Sequence, residues 1–346
     1  MSRVAIVSFR LGVPDGVSVV AGHWATGFER LGLEVRTLAG SGVCDRLLPG
    51  LAIDAPTPPT RAELARQLAW ADLVVVENLC SLPLNPGAGA AIAACLAGRR
   101  AILHHHDLPW QRRRFAHLTG WPPDDPAWVH ATINELSRKQ LAARGIVATT
   151  VYGGFAVPPP GRHGLTRRRL GVAPERRLLL QPTRAIARKN VPAGLAMAEA
   201  VGAEYWLTGP VEEGYGPELA RILAGAACPV HRGIPDGLDM DDAYAAADAV
   251  VLPSTWEGFG APLIEASMHR RPLAVGDYPV AAELAAFGFR WFPVHDPGPL
   301  RGFLDRPDAE LLEHNREVAV RHFSLDALTA QLADLFHGAG WDDLLG

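Results

Sequence analysis

Pro253-Ser254-Thr255-Trp256-Glu257-Gly258-Phe259-Gly260-Ala261-Pro262-Leu263-Ile264-Glu265-Ala266 is the stretch from which the rest of the chain can be read. It follows Ala249-Val250-Val251-Leu252, an apolar run with the length of a buried strand. Beyond it, Leu263, Ile264 and Met268 fall at helical spacing. The unit is therefore a strand, a glycine-rich loop and a helix start. Pro262 suits a first helical turn, where its missing N–H costs nothing. Gly258 and Gly260 let the backbone come close to a ligand, and the free N–H groups of a helix N-terminus form an anion site. Glu257 precedes the helix and Glu265 lies one to two turns into it, so they cannot face each other as an acid/base pair. Each can accept hydrogen bonds from a different part of a polyhydroxylated ligand. A capped helix with one solvated and one salt-bridged glutamate is the alternative without a ligand.

The full string P-S-x-x-E-G-F-G-x-P-x-x-E-A resembles the donor-site signature of family 4 of the retaining glycosyltransferases, the glycosyl transferases group 1. That resemblance implies two Rossmann-like α/β lobes (the GT-B architecture) with an interdomain cleft. It further implies transfer of a sugar from a UDP- or GDP-sugar to a hydroxyl of a small-molecule or glycan acceptor, with retention at the anomeric carbon and without a metal.

Composition agrees with a chain of that kind. A length of 346 residues predicts about two domains. With 48% apolar and 20% charged residues it can build a sizeable soluble core. A net charge of -4 argues against nucleic acid as a partner, since phosphate contacts favour a basic surface. Cys44, Cys80, Cys95 and Cys228 show no C-x-x-C spacing and are expected to be reduced thiols. The start of the chain has no signal-peptide anatomy, and the apolar run at residues 87–98 is too short to span a bilayer. A cytoplasmic enzyme without stable membrane insertion is expected, with weak peripheral contact left open.

Residues 4–9 form an opening strand, followed by a loop at residues 10–16 and a helix with Val17, Val20, Ala21, Trp24, Phe28 and Leu31 on one face. This is the first βα unit of a parallel sheet. The loop is not a dinucleotide fingerprint, because G-x-x-x-G replaces G-x-G-x-x-G. In the family the equivalent loop lies under the donor phosphate, and Gly12, Asp15 and Gly16 resemble it. Strands are expected at residues 33–38, 72–76 and 101–103. The second of these ends in Glu77-Asn78 and the third in His104-His105-His106-Asp107. Alternation puts His104 and His106 on one face and His105 on the other. A metal site there lacks an obvious third ligand at the right spacing. The resemblance instead places His106, with Asp107 beside it, against the transferred sugar; Asp107, Asn78 at its polar strand end, and Trp110, which can stack on a ring or simply pack, are the acceptor-side candidates. Arg112-Arg113-Arg114 can meet an anionic acceptor or headgroup, or form a solvated face.

Pro158-Pro159-Pro160 suits a stiff spacer. The expected division is a first domain at 1–156, a linker at 157–165, a nucleotide-sugar domain at 166–322, and a final helix at 323–346 crossing back to the first domain. After a strand at residues 177–181, Arg184 and Lys189 resemble the family's two cations on the donor pyrophosphate. A departing diphosphate needs such charge. Thr183 and Asn190 stand where the family usually has glycine. Gly209, Gly233 and Ile234 follow further strands where a base would lie, completing a donor set with Gly258, Phe259, Gly260 and Glu265. Asp239-Met240-Asp241 reads D-x-D but precedes a helical run, so N-capping is the expectation. The catalytic group implied is His106, Glu257, Arg184 and Lys189, with no covalent nucleophile and no metal or other cofactor. A sugar phosphorylase, a nucleotide-sugar epimerase or a two-lobed binding protein are the other readings.

Overall fold

The computed structural model describes residues 1–13 and 15–345. Its chain divides into two units, Met1–Gly154 with Leu325–Gly346, and Phe155–Ser324.

The first unit is built on strands β1 (Arg3–Leu11), β2 (Glu34–Gly42), β3 (Arg46–Leu47), β4 (Leu73–Glu77), β5 (Ala101–His105), β6 (Trp128–Thr132) and β7 (Ala148–Thr150). They form one parallel sheet in the order β3-β2-β1-β4-β5-β6-β7. Every residue of β4 and β5 is buried, which explains why these runs are continuously apolar rather than alternating until their polar ends. Helix Gly16–Arg30 lays Trp24 and Phe28 on one face of the sheet. Helix Leu325–Gly338 packs beside it, and Leu328, Leu332 and Phe336 join the same core. A Cβ on Gly27 would stand 2.7 Å from Leu332 Cδ1, so these two helices approach closely at that glycine.

The second unit holds β8 (Arg177–Gln181), β9 (Ala203–Leu207), β10 (Val230–Arg232), β11 (Ala249–Leu252), β12 (Leu273–Val275) and β13 (Phe292–Pro293). They too are all parallel, in the order β10-β9-β8-β11-β12-β13. The expected spacer at 157–165 is built into this unit. Phe155 donates its N–H to the Phe323 carbonyl at 2.8 Å, a Cβ on Gly161 would strike the Asp241 carbonyl, and Arg162 holds Asp242.

Each sheet reverses its strand order once, between β1 and β4 in the first unit and between β8 and β11 in the second. In open parallel sheets ligand groups collect beyond the carboxyl ends of strands at such a reversal. The four loops so marked are 12–16, 77–78, 182–190 and 253–260.

Candidate active site

In the second unit the loops after β8 and β11 are tied together. A 3-10 turn, Ala187–Lys189, directs Arg188 and Lys189 towards the β11 loop. Asn190 closes that turn at φ +50°, a left-handed conformation that asparagine tolerates better than most residues other than glycine. Asn190 thus takes a backbone conformation that glycine also adopts readily. The Thr255 N–H donates to the Arg188 carbonyl at 2.9 Å. Arg188 Nη1 donates to the Trp256 carbonyl at 3.0 Å and to Glu257 Oε2 at 2.9 Å, while Lys189 Nζ donates to Glu257 Oε1. Burial pushes the Glu257 carboxyl up, but Lys189 and Arg188 outweigh it and hold the group below the ordinary range. Burial draws Lys189 down, opposed by Glu257.

Of the two cations expected on a donor pyrophosphate, Lys189 holds Glu257, and beside it stands Arg188, which the sequence reading did not single out. Arg184 instead pairs with Glu212 at 2.6 Å, both side chains being 41% exposed. The physical reason is the turn at Ala187–Lys189: it brings residues 188 and 189 to Glu257 and leaves Arg184 at the edge. Each carboxylate oxygen of Glu257 accepts from one of the two cations and keeps a lone pair for a further donor.

Gly260 sits at φ +90° ahead of helix Ala261–Met268, and a Cβ there would meet the Tyr278 hydroxyl at 2.8 Å. Only glycine fits. The Phe259 ring is stacked on Phe155 and packs near Phe323, with centroids 6.0 Å apart in each case. The half-buried ring is thus engaged with two aromatic side chains distant in sequence. Glu265 accepts from the Tyr244 hydroxyl at 2.6 Å, and burial raises its carboxyl above the ordinary range. Tyr244 was not foreseen, since in sequence it is one more apolar position of helix Met240–Ala246. Asp239 caps that helix through a reciprocal box with Asp242, as the D-x-D reading expected. Gly209 donates its N–H to the Thr183 carbonyl at 3.2 Å, and the Gly233 carbonyl accepts from Trp206 Nε1 at 2.7 Å. Ile234 follows, half-buried.

In the first unit, Asp15 caps helix Gly16–Arg30 by accepting the Ser18 N–H at 2.8 Å, and its other oxygen holds Arg10 at 2.7 Å. Gly12 lies at φ +66° at the end of β1. Pro14, between them, lies outside the described residues. At the end of β4, Glu77 is fully buried. Its Oε2 lies 2.9 Å from His104 Nδ1 and 2.7 Å from His106 Nε2. The missing third group of the histidine cluster is therefore Glu77, brought to it by the β4–β5 pairing and distant in sequence. Burial pushes Glu77 up, yet the two histidines hold it at about 2. Asn78 Oδ1 accepts the N–H groups of His106 and Asp107, each at 3.2 Å. Asp107 binds Arg112 at 2.6 Å. Trp110 donates to Gln140 at 2.8 Å and lies under Arg144, whose guanidinium carbon is 3.6 Å from the ring centroid.

On the opposite face His105 Nδ1 meets Ser81 Oγ at 2.6 Å, its Nε2 meets His130 Nδ1 at 2.9 Å, and His130 Nε2 meets Asp124 at 3.0 Å. Burial lowers the pKa of His104, His105 and His130. Their unfolded counterparts take up protons below about pH 6.5, so the unfolded chain binds more protons there and stability falls as pH falls. The expected slope approaches about 1.4 kcal/mol per pH unit for each such histidine below that value. Urea midpoints at pH 7.5 and 5.5 measure it; equal midpoints exclude it.

Residues 225–298 match the family described as Glycosyl transferases group 1. The chain is 24% identical to mannosylglucosylglycerate synthase of Thermotoga maritima, across 94% of this chain and 97% of that one. It is 32% identical to D-inositol 3-phosphate glycosyltransferase of Streptomyces coelicolor, across 63% and 51%. The crystal structure of Anabaena HepE in complex with UDP and glucose superposes with a TM-score of 0.77 at 16% identity, covering 98% of this chain and 100% of that one. Among the described residues no helix is long and apolar enough to cross a membrane. The strand–loop–helix motif lies inside the segment that matches glycosyl transferases group 1, and the likeness to HepE along nearly the whole chain gives the protein a GT-B fold of two Rossmann-like units.

Proposed function

We propose that the protein transfers a sugar from a UDP-sugar to a hydroxyl of a small polar acceptor, with retention of anomeric configuration and without a metal. The observation that carries this reading is the buried Glu257 held by Lys189 and Arg188 beside the glycine loop. Such an arrangement fixes positive charge where a diphosphate would leave, and fixed charge in a water-poor site is worth far more than in bulk water. Lys189 and Arg188 would face the pyrophosphate, with Arg184 free to swing from its exposed partner Glu212. The backbone N–H groups of residues 258–260 would cradle phosphate at the helix start. Glu265 would accept from the ribose. His106 would meet the transferred sugar, and the donor's own phosphate oxygen would take the acceptor proton.

UDP is the favoured nucleotide because HepE binds UDP and glucose in the same fold. A small polar acceptor is favoured by the names of the two relatives, a mannosylglucosylglycerate synthase and an inositol 3-phosphate glycosyltransferase. The test is a thermal-shift panel of UDP, GDP, ADP and dTDP with a chelator present. UDP at about 100 times its dissociation constant should stabilise the fold by roughly 2.7 kcal/mol, and Lys189→Ala should lose the shift. A response that needs added metal, or none to any nucleotide, sinks the reading.

A further inference from the structure

At the ends of β4 and β5, His106 is held far more firmly than burial alone requires. Asn78 stands at φ +59°, a conformation that costs a non-glycine residue free energy. From there its N–H donates to the His104 carbonyl at 2.9 Å, and its Oδ1 takes the N–H groups of both His106 and Asp107. The backbone of residue 106 is thus clamped by one side chain and its ring by another, Glu77. His104 completes the frame. Its ring stacks on Trp24 with centroids 4.0 Å apart, and it shares Glu77 Oε2 with His106.

A buried carboxylate that stays ionised only accepts hydrogen bonds. Both contacting nitrogens must then be donors, so His104 carries its proton on Nδ1 and His106 on Nε2. What remains on His106 is Nδ1 with its lone pair. Among the described residues it has no protein partner and is not sealed from solvent, the side chain keeping 7% exposure. The opposite holds for His104 Nε2, which is buried without a partner.

We propose that Glu77 is a positioning residue that locks His106 in the Nε2–H tautomer, so that Nδ1 presents an acceptor to a hydroxyl of the transferred sugar. This rests on the glycosyltransferase reading above and adds to it the group that sets the direction of the hydrogen bond. An imidazole in the other tautomer would point a proton at that hydroxyl and compel it to turn. A carboxylate two hydrogen-bond lengths from the sugar therefore decides how the sugar is held. The spacing of Glu77, His104 and His106, with ligand atoms all within 4.8 Å of one another, also suits a two-histidine, one-carboxylate metal site. Contacts of 2.7 and 2.9 Å to one shared oxygen are hydrogen-bond lengths and favour protons between the groups.

Nitrogen-15 NMR of the wild-type imidazoles, without any substrate, reads the tautomer directly. The expected spectrum shows His106 protonated on Nε2. A proton on Nδ1, or zinc bound one-to-one and lost in Glu77→Gln, overturns the proposal. For Glu77→Gln the expected result is a kcat about 100-fold lower with the sugar-donor KM within about threefold, because a misaligned acceptor weakens the transition state more than ground-state binding. The shift in melting temperature with UDP should persist in this variant. A wild-type kcat in Glu77→Gln overturns the proposal while leaving the glycosyltransferase reading intact. The expected tautomer in a protein that turns over no nucleotide sugar overturns that reading and the substrate role of Nδ1 with it. Should Glu77→Gln fail to fold, the wild-type spectrum still decides.

Discussion

Glu257→Gln is expected to lower kcat/KM for the nucleotide-sugar donor by about 100- to 1000-fold, the loss typical of removing a preorganised electrostatic contact. The substitution keeps the volume and one accepting oxygen but removes the charge between Lys189 and Arg188. Lys189 is then a buried cation without its anion, and the amide can offer it only a neutral acceptor. Breaking a buried ion pair from one side costs about 3 kcal/mol or more, so the melting temperature should fall as well. The two effects separate by ligand. A bound diphosphate would supply the missing negative charge, so saturating UDP should recover more stability in Glu257→Gln than in wild type. Turnover at the wild-type rate would remove Glu257 from the machinery.

Gly209→Ala carries the other large effect. A Cβ at this position would lie 2.4 Å from the Thr183 carbonyl oxygen and 2.5 Å from the Arg184 nitrogen. Both are backbone atoms, so no side chain can swing away. The ends of β8 and β9 must separate, straining the Gly209 bond to Thr183 and the 2.8 Å bond from Ala185 N–H to the Pro210 carbonyl. Overpacking of this kind costs about 3 kcal/mol. The denaturant midpoint should drop with an unchanged slope, and UDP should bind about tenfold more weakly because the loop that carries Lys189 begins at this contact. An unaltered midpoint would show that the loop yields freely.

Both of these positions were legible in the sequence, and the contrast with those that were not is instructive. Strand β8 and strand β11 are continuous apolar runs, and the glycine loop after β11 is a contiguous motif. Periodicity and local chemistry suffice to place such elements. Asn190 is a case where local reasoning raised a question that the backbone answers, since φ +50° is a conformation shared by glycine and asparagine. Glu77 was noticed only as a polar strand end. Its partners are contributed by β5, and nothing in the sequence states that β4 and β5 are neighbours in register. Arg188 stood beside Lys189 in plain view, but which of two cations turns to a carboxylate depends on the phase of a short 3-10 turn. Phe259 is a related case: its ring partners Phe155 and Phe323 are far away in sequence, so its packing could not be read from the loop itself.

The place of helix Leu325–Gly338 bears on how the chain comes to be folded at all. Trp24, Phe28, Leu328, Leu332 and Phe336 form one core, so the first unit contains residues from both ends of the described chain while Phe155–Ser324 is contiguous. During synthesis the second unit can complete itself as soon as it has emerged. The first unit, although made earlier, lacks the part of its core that Leu328, Leu332 and Phe336 supply until Leu325–Gly338 follows. Domains ordinarily fold in the order in which they are made. Here the core that Trp24 and Phe28 share with Leu328, Leu332 and Phe336 can be completed only after the whole of Phe155–Ser324 has been made.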